Sequence, residues 1–300
     1  MKRLVRPFAL LPLLAAALLA AQTQIIDIRN TQEVFRLFEK LDYTMQAWEE
    51  GIRVVPRVYL TTIPEGWQAR ARTMPVGKKK ELFFRLLAPA VLHANERVLR
   101  QRKQLTAIAA KQRFEPGEKA WLTELSGHYG LGEEAADGVD DALLAELLLR
   151  VDAVPVSLAL AQSADESGWG TSRFAVEGNA LFGQWEFNGE GMAPKDRRKK
   201  LGDYGLARFK TPQDAVYAYL LNLNTTAAYA GFRQMRAQMR ADGQPLSGYK
   251  LAETLLHYSE RGQAYVDNLR GIIETNGLKA TDAAYLWDKG DILLVPVSSQ

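Results

Sequence analysis

The sequence predicts a mainly α-helical fold with little sheet. Apolar residues recur at three- and four-residue steps over most of the stretch between residues 31 and 276. Gly, Pro and capping residues cut that pattern into pieces of helical length. Extended stretches are short and few, at residues 54–64, at 205–209 and in the ILLVPV of the tail.

Taken in order, residues 31–51 read as an amphipathic helix. Val34, Leu37, Phe38, Leu41, Met45 and Trp48 share one face, with Thr31 as N-cap and Gly51 as stop. Residues 54–64 (VVPRVYLTTIP) are extended and punctuated by prolines, and 65–77 form a polar loop. Residues 78–114 follow a long helical pattern marked by Leu82, Phe83, Leu86, Leu87, Val91 and Val98, which Pro89 should kink or split. A shorter helix spans 116–130 and a loop 131–138. Residues 139–150 form a helix with Asp140 and Asp141 near its start, where the dipole favours them. The next helix, 155–166, opens on Pro155 at a tolerated first-turn position. It is apolar on most sides (Val156, Leu158, Ala159, Leu160, Ala161), the pattern of a centrally buried helix. Residues 177–204 are irregular and 205–209 (GLARF) a short strand. Thr211 then caps a helix with Pro212 at its first position, running through Leu223. Helices over 229–242, 246–258 and 262–276 follow, the last capped by Gly277, and the tail from residue 280 carries ILLVPV as a short strand.

The first 21 residues read as a targeting segment. Lys2, Arg3 and Arg6 precede an apolar run, FALLPLLAAALLAA, and polar Gln22-Thr23-Gln24 follows. At about fourteen residues the run is short for a bilayer span of roughly twenty, so a cleavable export signal is expected. An uncleaved anchor is the alternative, because the residues before Gln22 fit a small-x-small cleavage site imperfectly. There is no cysteine, hence no lipoprotein and no disulfide framework. Export without disulfides suits a bacterial periplasmic or secreted protein. Three of the 38 basic side chains and none of the 35 acidic ones lie in this segment, which leaves a formally neutral body. A strongly basic nucleic-acid binder is therefore not indicated. The basic runs at 78–80 and 197–200 are solvated surface or contacts to an anionic wall polymer, and a membrane is met only through an uncleaved signal. His93, His128 and His257 lie far apart, so no metal-ligand spacing stands out. Ser167 sits in no G-x-S-x-G elbow, and Gly168-Trp169-Gly170 is no phosphate loop. No cofactor is implied.

Chemistry concentrates in residues 162–185, QSADESGWGTSRFAVEGNALFGQW. Glu166 closes the apolar helix, a Ser-Gly-Trp-Gly turn follows, and Gly-Asn-Ala-Leu-Phe-Gly makes a second turn. Neighbouring helical residues are about 100° apart, so Asp165 and Glu166 do not share a face and only one enters a cleft. A carboxyl group at a helix C-terminus, packed among aromatics, has its pKa raised by the dipole and by burial, as a general acid requires.

The segment ALAQSADESGWGTSRFAVEGNALFGQWEF resembles the glucosaminidase domain of bacterial cell-wall hydrolases, glycoside hydrolase family 73 of the flagellar peptidoglycan-hydrolase type. VPRVYLTTIPEGW, KKKELFFRLLAPAVLHANE, YLLNLNTTAAYAGFRQMR and HYSERGQAYVDNLRGII resemble its Bax-type branch, so the resemblance covers nearly all of the chain after the targeting segment. It implies a lysozyme-like helical domain with a small β lobe, over residues 139–279, preceded by a helical region (22–138) and followed by the tail (280–300). It implies hydrolysis of the β-1,4 bond after N-acetylglucosamine in the glycan strands of peptidoglycan. Glu166 falls on the general-acid position. Trp169, Phe182 and Trp185 fall on aromatic positions near the cleft, Asn179 on the Asn of the second turn, and Tyr258 and Tyr265 on the terminal tyrosines.

The second acid departs from the family's pattern. Members carry a further Glu in the β lobe, whereas here the strand before Phe209 reads GDYGLARF. Asp203 is the nearest candidate, with Glu186 and Glu190 as others. The substrate's own acetamido group is a fourth possibility. Two rival functions share these residues. A lytic transglycosylase also uses one Glu in such a fold, although its Gly-Leu-Met-Gln-type motif is replaced here by Leu181-Phe182-Gly183-Gln184. A wall-binding or assembly protein would need no acid at all.

Overall fold

The computed structural model describes residues 23–136, 138–186, 190–193 and 205–297. The targeting segment, the basic run at 197–200 and Asp203 lie outside them. The fold is mainly α-helical with small sheets, a lysozyme-like helical domain preceded by a helical region.

Helix α1 (Thr31–Lys40) is capped by Asn30, not Thr31: the Asn30 side chain accepts from the Glu33 N–H at 3.1 Å. The single helix expected over 31–51 is two. Asp42 takes a left-handed φ of 51°, and α2 (Met45–Glu49) restarts from Thr44 as a new N-cap. Asp tolerates that conformation, so the chain turns while the apolar spacing carries on. Helix α3 (Trp67–Thr73) lies inside the expected loop, bounded by Gly66 and Pro75. Helix α4 (Val76–Ala109) passes through the buried Pro89 without a break, so the expected split does not occur. At 34 residues it is about 50 Å long. Then come α5 (Pro116–His128), α6 (Gly132–Ala136, where a loop was expected) and α7 (Asp141–Arg150), which Asp140 caps at 2.8 Å.

Helix α8 (Val156–Ser167) is the centre of the molecule. Its Leu158, Ala159, Leu160 and Ala161 are fully buried. The short α9 (Arg173–Gly178) precedes α10 (Pro212–Thr225), which starts with a capping box between Thr211 and Asp214. Helix α11 (Ala230–Ala241), α12 (Gly248–Leu251) and α13 (Gln263–Thr275) complete the set. Helix α12 and its 3-10 extension over Ala252–Leu255 are shorter than the helix expected at 246–258. Helix α8 packs against α4, α12, α13 and a 3-10 turn at Leu278–Ala283. That turn holds the start of α8: the Asp282 carboxylate accepts from the Ser157 N–H and hydroxyl, both at 2.8 Å, and from the Gly248 N–H at 3.0 Å. The approach is so close that a Cβ on Gly248 would lie 2.2 Å from Ser157 Oγ.

The segment between α7 and α8 is fixed by a buried ion cluster. Arg236, fully buried, donates to the Asp152, Ala153 and Leu149 carbonyls and to Asn224 Oδ1 at 2.7–3.1 Å. Arg240 grips the Asp152 carboxylate with two bonds at 2.5 and 2.6 Å, and Arg102 stands 3.6 Å away. Burial opposes the charge on Asp152, but the Arg240 bond and the surrounding guanidiniums hold its carboxyl below the usual range. Burial likewise pushes Arg236 down, to about 10.

The strands are β1 (Gln24–Ile28), β2 (Val54–Val55), β3 (Val58–Leu60), β4 (Trp185–Glu186), β5 (Gly205–Leu206), β6 (Tyr285–Leu286) and β7 (Ile292–Pro296). Strand β7 lies between β1 and β3, parallel to both, with Ile292 opposite Gln24 on one side and Val58 on the other. Strands β2 and β6 form a second small parallel pair, and β4 and β5 an antiparallel one extended by a bridge between Met192 and Leu206. Among the described residues no helix is long and apolar enough to cross a membrane.

Candidate active site

Glu166 stands in the last turn of α8 and is half-buried. Beyond it the chain reverses through three consecutive left-handed residues, Gly168 (φ 57°), Trp169 (φ 62°) and Gly170 (φ 73°). For Trp169 that conformation costs about 1–2 kcal/mol, and several contacts hold it. The Ser167 hydroxyl donates to the Ser163 carbonyl at 2.6 Å and accepts from the Gly170 N–H at 2.8 Å. The Trp67 indole donates to the Trp169 carbonyl at 3.1 Å. The Trp169 ring packs edge-on against Phe83 and Phe84 of α4, with the Lys80 ammonium 4.9 Å above it. Its ring thus ties the turn to α4.

A hydrogen-bonded chain reaches Glu166 from inside the protein. The Tyr219 hydroxyl donates to Gln162 Oε1 at 2.6 Å, and Gln162 Nε2 donates to the Tyr265 hydroxyl at 2.9 Å. The Tyr265 hydroxyl, its oxygen accepting from Gln162, faces the Glu166 carboxylate and favours its ionised form. All three inner residues are fully buried. Gln162 and Glu166 are four apart on α8 and share a face, which is why one helix presents both ends of this chain. Burial is the main influence on Glu166 and raises its pKa above the ordinary carboxylate value. The neighbouring Asp165 charge adds to that, while the Tyr265 bond and Arg261 pull the other way.

Asp165 faces elsewhere, as the helical geometry requires. Its carboxylate pairs with Arg261 and accepts from Asn268 Nδ2 at 2.6 Å. The Arg261 guanidinium in turn lies 4.8 Å from the Tyr265 ring centre. Opposite Glu166 the wall is backbone: a Cβ on Gly183 would come 3.1 Å from Glu166 Oε2, and Gly183 has φ 62°. Tyr258 stacks parallel to Tyr265 at 5.6 Å and donates to the Phe182 carbonyl at 2.9 Å, pinning the irregular segment that carries Gly183.

Besides Tyr265, which is fully buried in the relay, two further residues expected at the glycan have other positions. Phe182 is 1% exposed and stacks on Tyr219 with ring centres 4.0 Å apart, so it supports the relay from the core. Asn179, 5% exposed, caps α9 with φ 51°. Its Oδ1 accepts from the Ile63 N–H and Thr62 hydroxyl, and its Nδ2 donates to the Phe209 and Lys210 carbonyls. Every polar atom of that amide is engaged within the protein, where it joins the loop after β3 to the loop after β5. Trp185 is 54% exposed on β4. Glu186 is half-buried in the same strand, opposite Gly205, and Glu190 is exposed in the loop beyond. The pair needs glycine at 191 and 205, since a Cβ on Gly205 would fall 2.6 Å from the Gly191 carbonyl carbon.

The structure thus brings Glu166, Tyr265, Tyr258 and the backbone of Gly183 together. Sequence reasoning missed Gln162, Tyr219 and Tyr229, whose ring lies 5.7 Å from that of Tyr258. A signal for Gln162 exists: it is a polar residue within a helix apolar on nearly all sides, one helical step from the acid. Among the described residues, no three His, Asp or Glu side chains cluster as a metal site.

A profile of the glucosaminidase family, described as mannosyl-glycoprotein endo-beta-N-acetylglucosaminidase, matches residues 142–278, from α7 to the turn that holds α8. Protein bax of Escherichia coli (strain K12) is 30% identical over 206 residues, which is 68% of this chain and 73% of that protein. No solved structure matches. The chain belongs to the Bax-like proteins that carry a glucosaminidase domain.

Proposed function

We propose that this protein is an exported, periplasmic peptidoglycan hydrolase that cleaves the β-1,4 bond after N-acetylglucosamine, with Glu166 as general acid. The observation that carries this reading is the state of Glu166 within the glucosaminidase domain. Its carboxyl is half-buried, its pKa is raised mainly by burial, and the Tyr265 hydroxyl faces it. A carboxyl whose pKa is raised above the ordinary value keeps its proton to higher pH and can give it to the glycosidic oxygen as the bond breaks. The narrow backbone wall at Gly183 lets a sugar approach that oxygen closely.

At the other face of the ring a carboxylate then either activates a water that attacks the sugar, or attacks it itself to form a glycosyl-enzyme that water afterwards hydrolyses. Asp165 is a poor choice for that part, because Arg261 and Asn268 hold it on another face of α8. The candidates remain Glu186 and Glu190 beside β4, together with Asp203, which lies outside the described residues. Their separation from Glu166 with sugar bound decides the stereochemistry, about 5–5.5 Å for retention and 6.5–9.5 Å for inversion. The acetamido group of the substrate is the alternative to all three.

Glu166→Gln tests the assignment. The variant should release no soluble fragments from purified sacculi while still binding them. Clearance of sacculi by the variant would sink the assignment of the acid. Mass spectrometry of the wild-type digest separates the reactions: a reducing N-acetylglucosamine end supports hydrolysis, and an anhydro-muramyl end means a transglycosylase.

A further inference from the structure

An apolar cavity among the described residues lies away from Glu166. A space of about 410 Å³ lies between α1, α3, α4 and the ends of β1, β3 and β7. Its wall is apolar, built from Val34, Ile63, Leu82, Leu86 and Leu87, with Trp67 and Gly170 on the side toward the turn that follows Glu166. That volume is within the usual range for a small-molecule site. An apolar cavity gives water too few partners and stays available to an apolar ligand.

The charged part of the lining is cationic, beside the neutral Asn30, Thr31 and Gln32. Arg29 and Arg70 both line the cavity and both are exposed to solvent. Neither guanidinium has an ion-pair or hydrogen-bond partner among the described residues. The Glu33 carboxylate, one helical turn on from Arg29, is occupied in capping α1, accepting from the Arg29 N–H at 2.7 Å and from Asn30 Nδ2 at 3.5 Å. The start of α1 is therefore already satisfied, and the two guanidiniums are the groups left to meet an anion. Apolar depth beneath two unpaired cations is complementary to one kind of ligand: an alkyl chain ending in an anionic head. We propose that this cavity binds a medium-chain fatty acid, its chain against Leu82 and Leu86 and its carboxylate between Arg29 and Arg70. Because Trp67 both lines the cavity and holds the Trp169 carbonyl, such a ligand would abut the turn that follows Glu166.

Calorimetric titration of the purified protein with decanoate, octanoate and 1-decanol tests this without any activity readout. Decanoate should bind one to one. Octanoate should bind about fifteenfold more weakly, since each methylene buried is worth about a fourfold gain. Decanol should bind more weakly than decanoate. Arg29→Ala with Arg70→Ala should bring decanoate down to the level of decanol and leave decanol unchanged, and Leu86→Trp should abolish both. Glu166→Gln should bind decanoate as the wild type does, so a failure of the catalytic reading leaves this result standing. No decanoate binding by the wild type, equal affinity for octanoate, or equal affinity for decanol would each overturn the proposal. The chain-length comparison on the wild type decides it even if the Leu86 variant does not fold.

Discussion

Replacing Tyr265 with Phe removes one oxygen from the relay and keeps the ring stacked on Tyr258. That oxygen accepts from the Gln162 amide at 2.9 Å, and the hydroxyl faces Glu166. Without it, one Gln162 N–H is left in a fully buried site with no acceptor, which costs about 1–3 kcal/mol. In a chain of this size that lowers Tm by several degrees. The effect on Glu166 has a definite sign. The Tyr265 bond favours the ionised carboxylate, so its loss moves the Glu166 pKa further upward. A general acid works only while protonated, and activity is lost as pH rises through its pKa. The basic limb of the pH–rate profile should therefore move to higher pH, even as the maximal rate falls because the carboxyl is less firmly aimed. Fragment release from sacculi measured across pH, beside a thermal melt at each pH, reads both effects. A fall in Tm with the basic limb unmoved or moved to lower pH would refute the reasoning, because Tyr265 would then be packing only.

Glu166 also links stability to pH. Its folded pKa is raised, so the folded state is most stable where the group is protonated and loses stability as pH rises through that pKa. Glu166→Gln should accordingly melt higher than the wild type near neutral pH, with the difference vanishing below the ordinary Glu value of about 4.3. Gly183→Ala places a Cβ 3.1 Å from Glu166 Oε2 at a φ of 62°. It should lower kcat roughly 10–100-fold through misplacement of the acid, and a variant with wild-type kcat would remove Gly183 from the site. Asn179→Ala loses four hydrogen bonds and puts Ala at φ 51°. Denaturant unfolding should show a loss of about 3–5 kcal/mol, with wall binding per folded molecule unchanged; weakened binding at unchanged stability would return Asn179 to the glycan.

The helices were legible where periodicity and caps agreed. Thr211-Pro212 with Asp214, and Gly277 after α13, each mark an end by a local mechanism, and both ends fall there. Errors arose where one signal masked another. The apolar spacing from Val34 to Trp48 continues across Asp42, so a left-handed turn left no trace in the period. Gly66 and Pro75, read as loop punctuation, bound a helix. Strand β1 was missed because five residues of QIIDI carry little pattern and its partner is at the other end of the chain. The same division holds at the site. The motif around Glu166 is contiguous and can be read directly. Its support comes from Tyr219 and Tyr265, residues brought in from α10 and α13 by the tertiary fold. Phe182 and Asn179 matched motif positions, but a motif does not say which way a side chain points, and here both point into the protein.

The placement of β7 between β1 and β3 also sets an order of events. The chain emerges from its N-terminal end, and neither β1 nor β3 has a neighbour until residues 292–296 exist. Pairing across that separation is slow because most of the loop-closure entropy must be lost first. The helices around α8 can gather earlier, so the sheet is the last part to close. A chain cut short before Ile292 would keep its acid and lose the strand that joins its two ends.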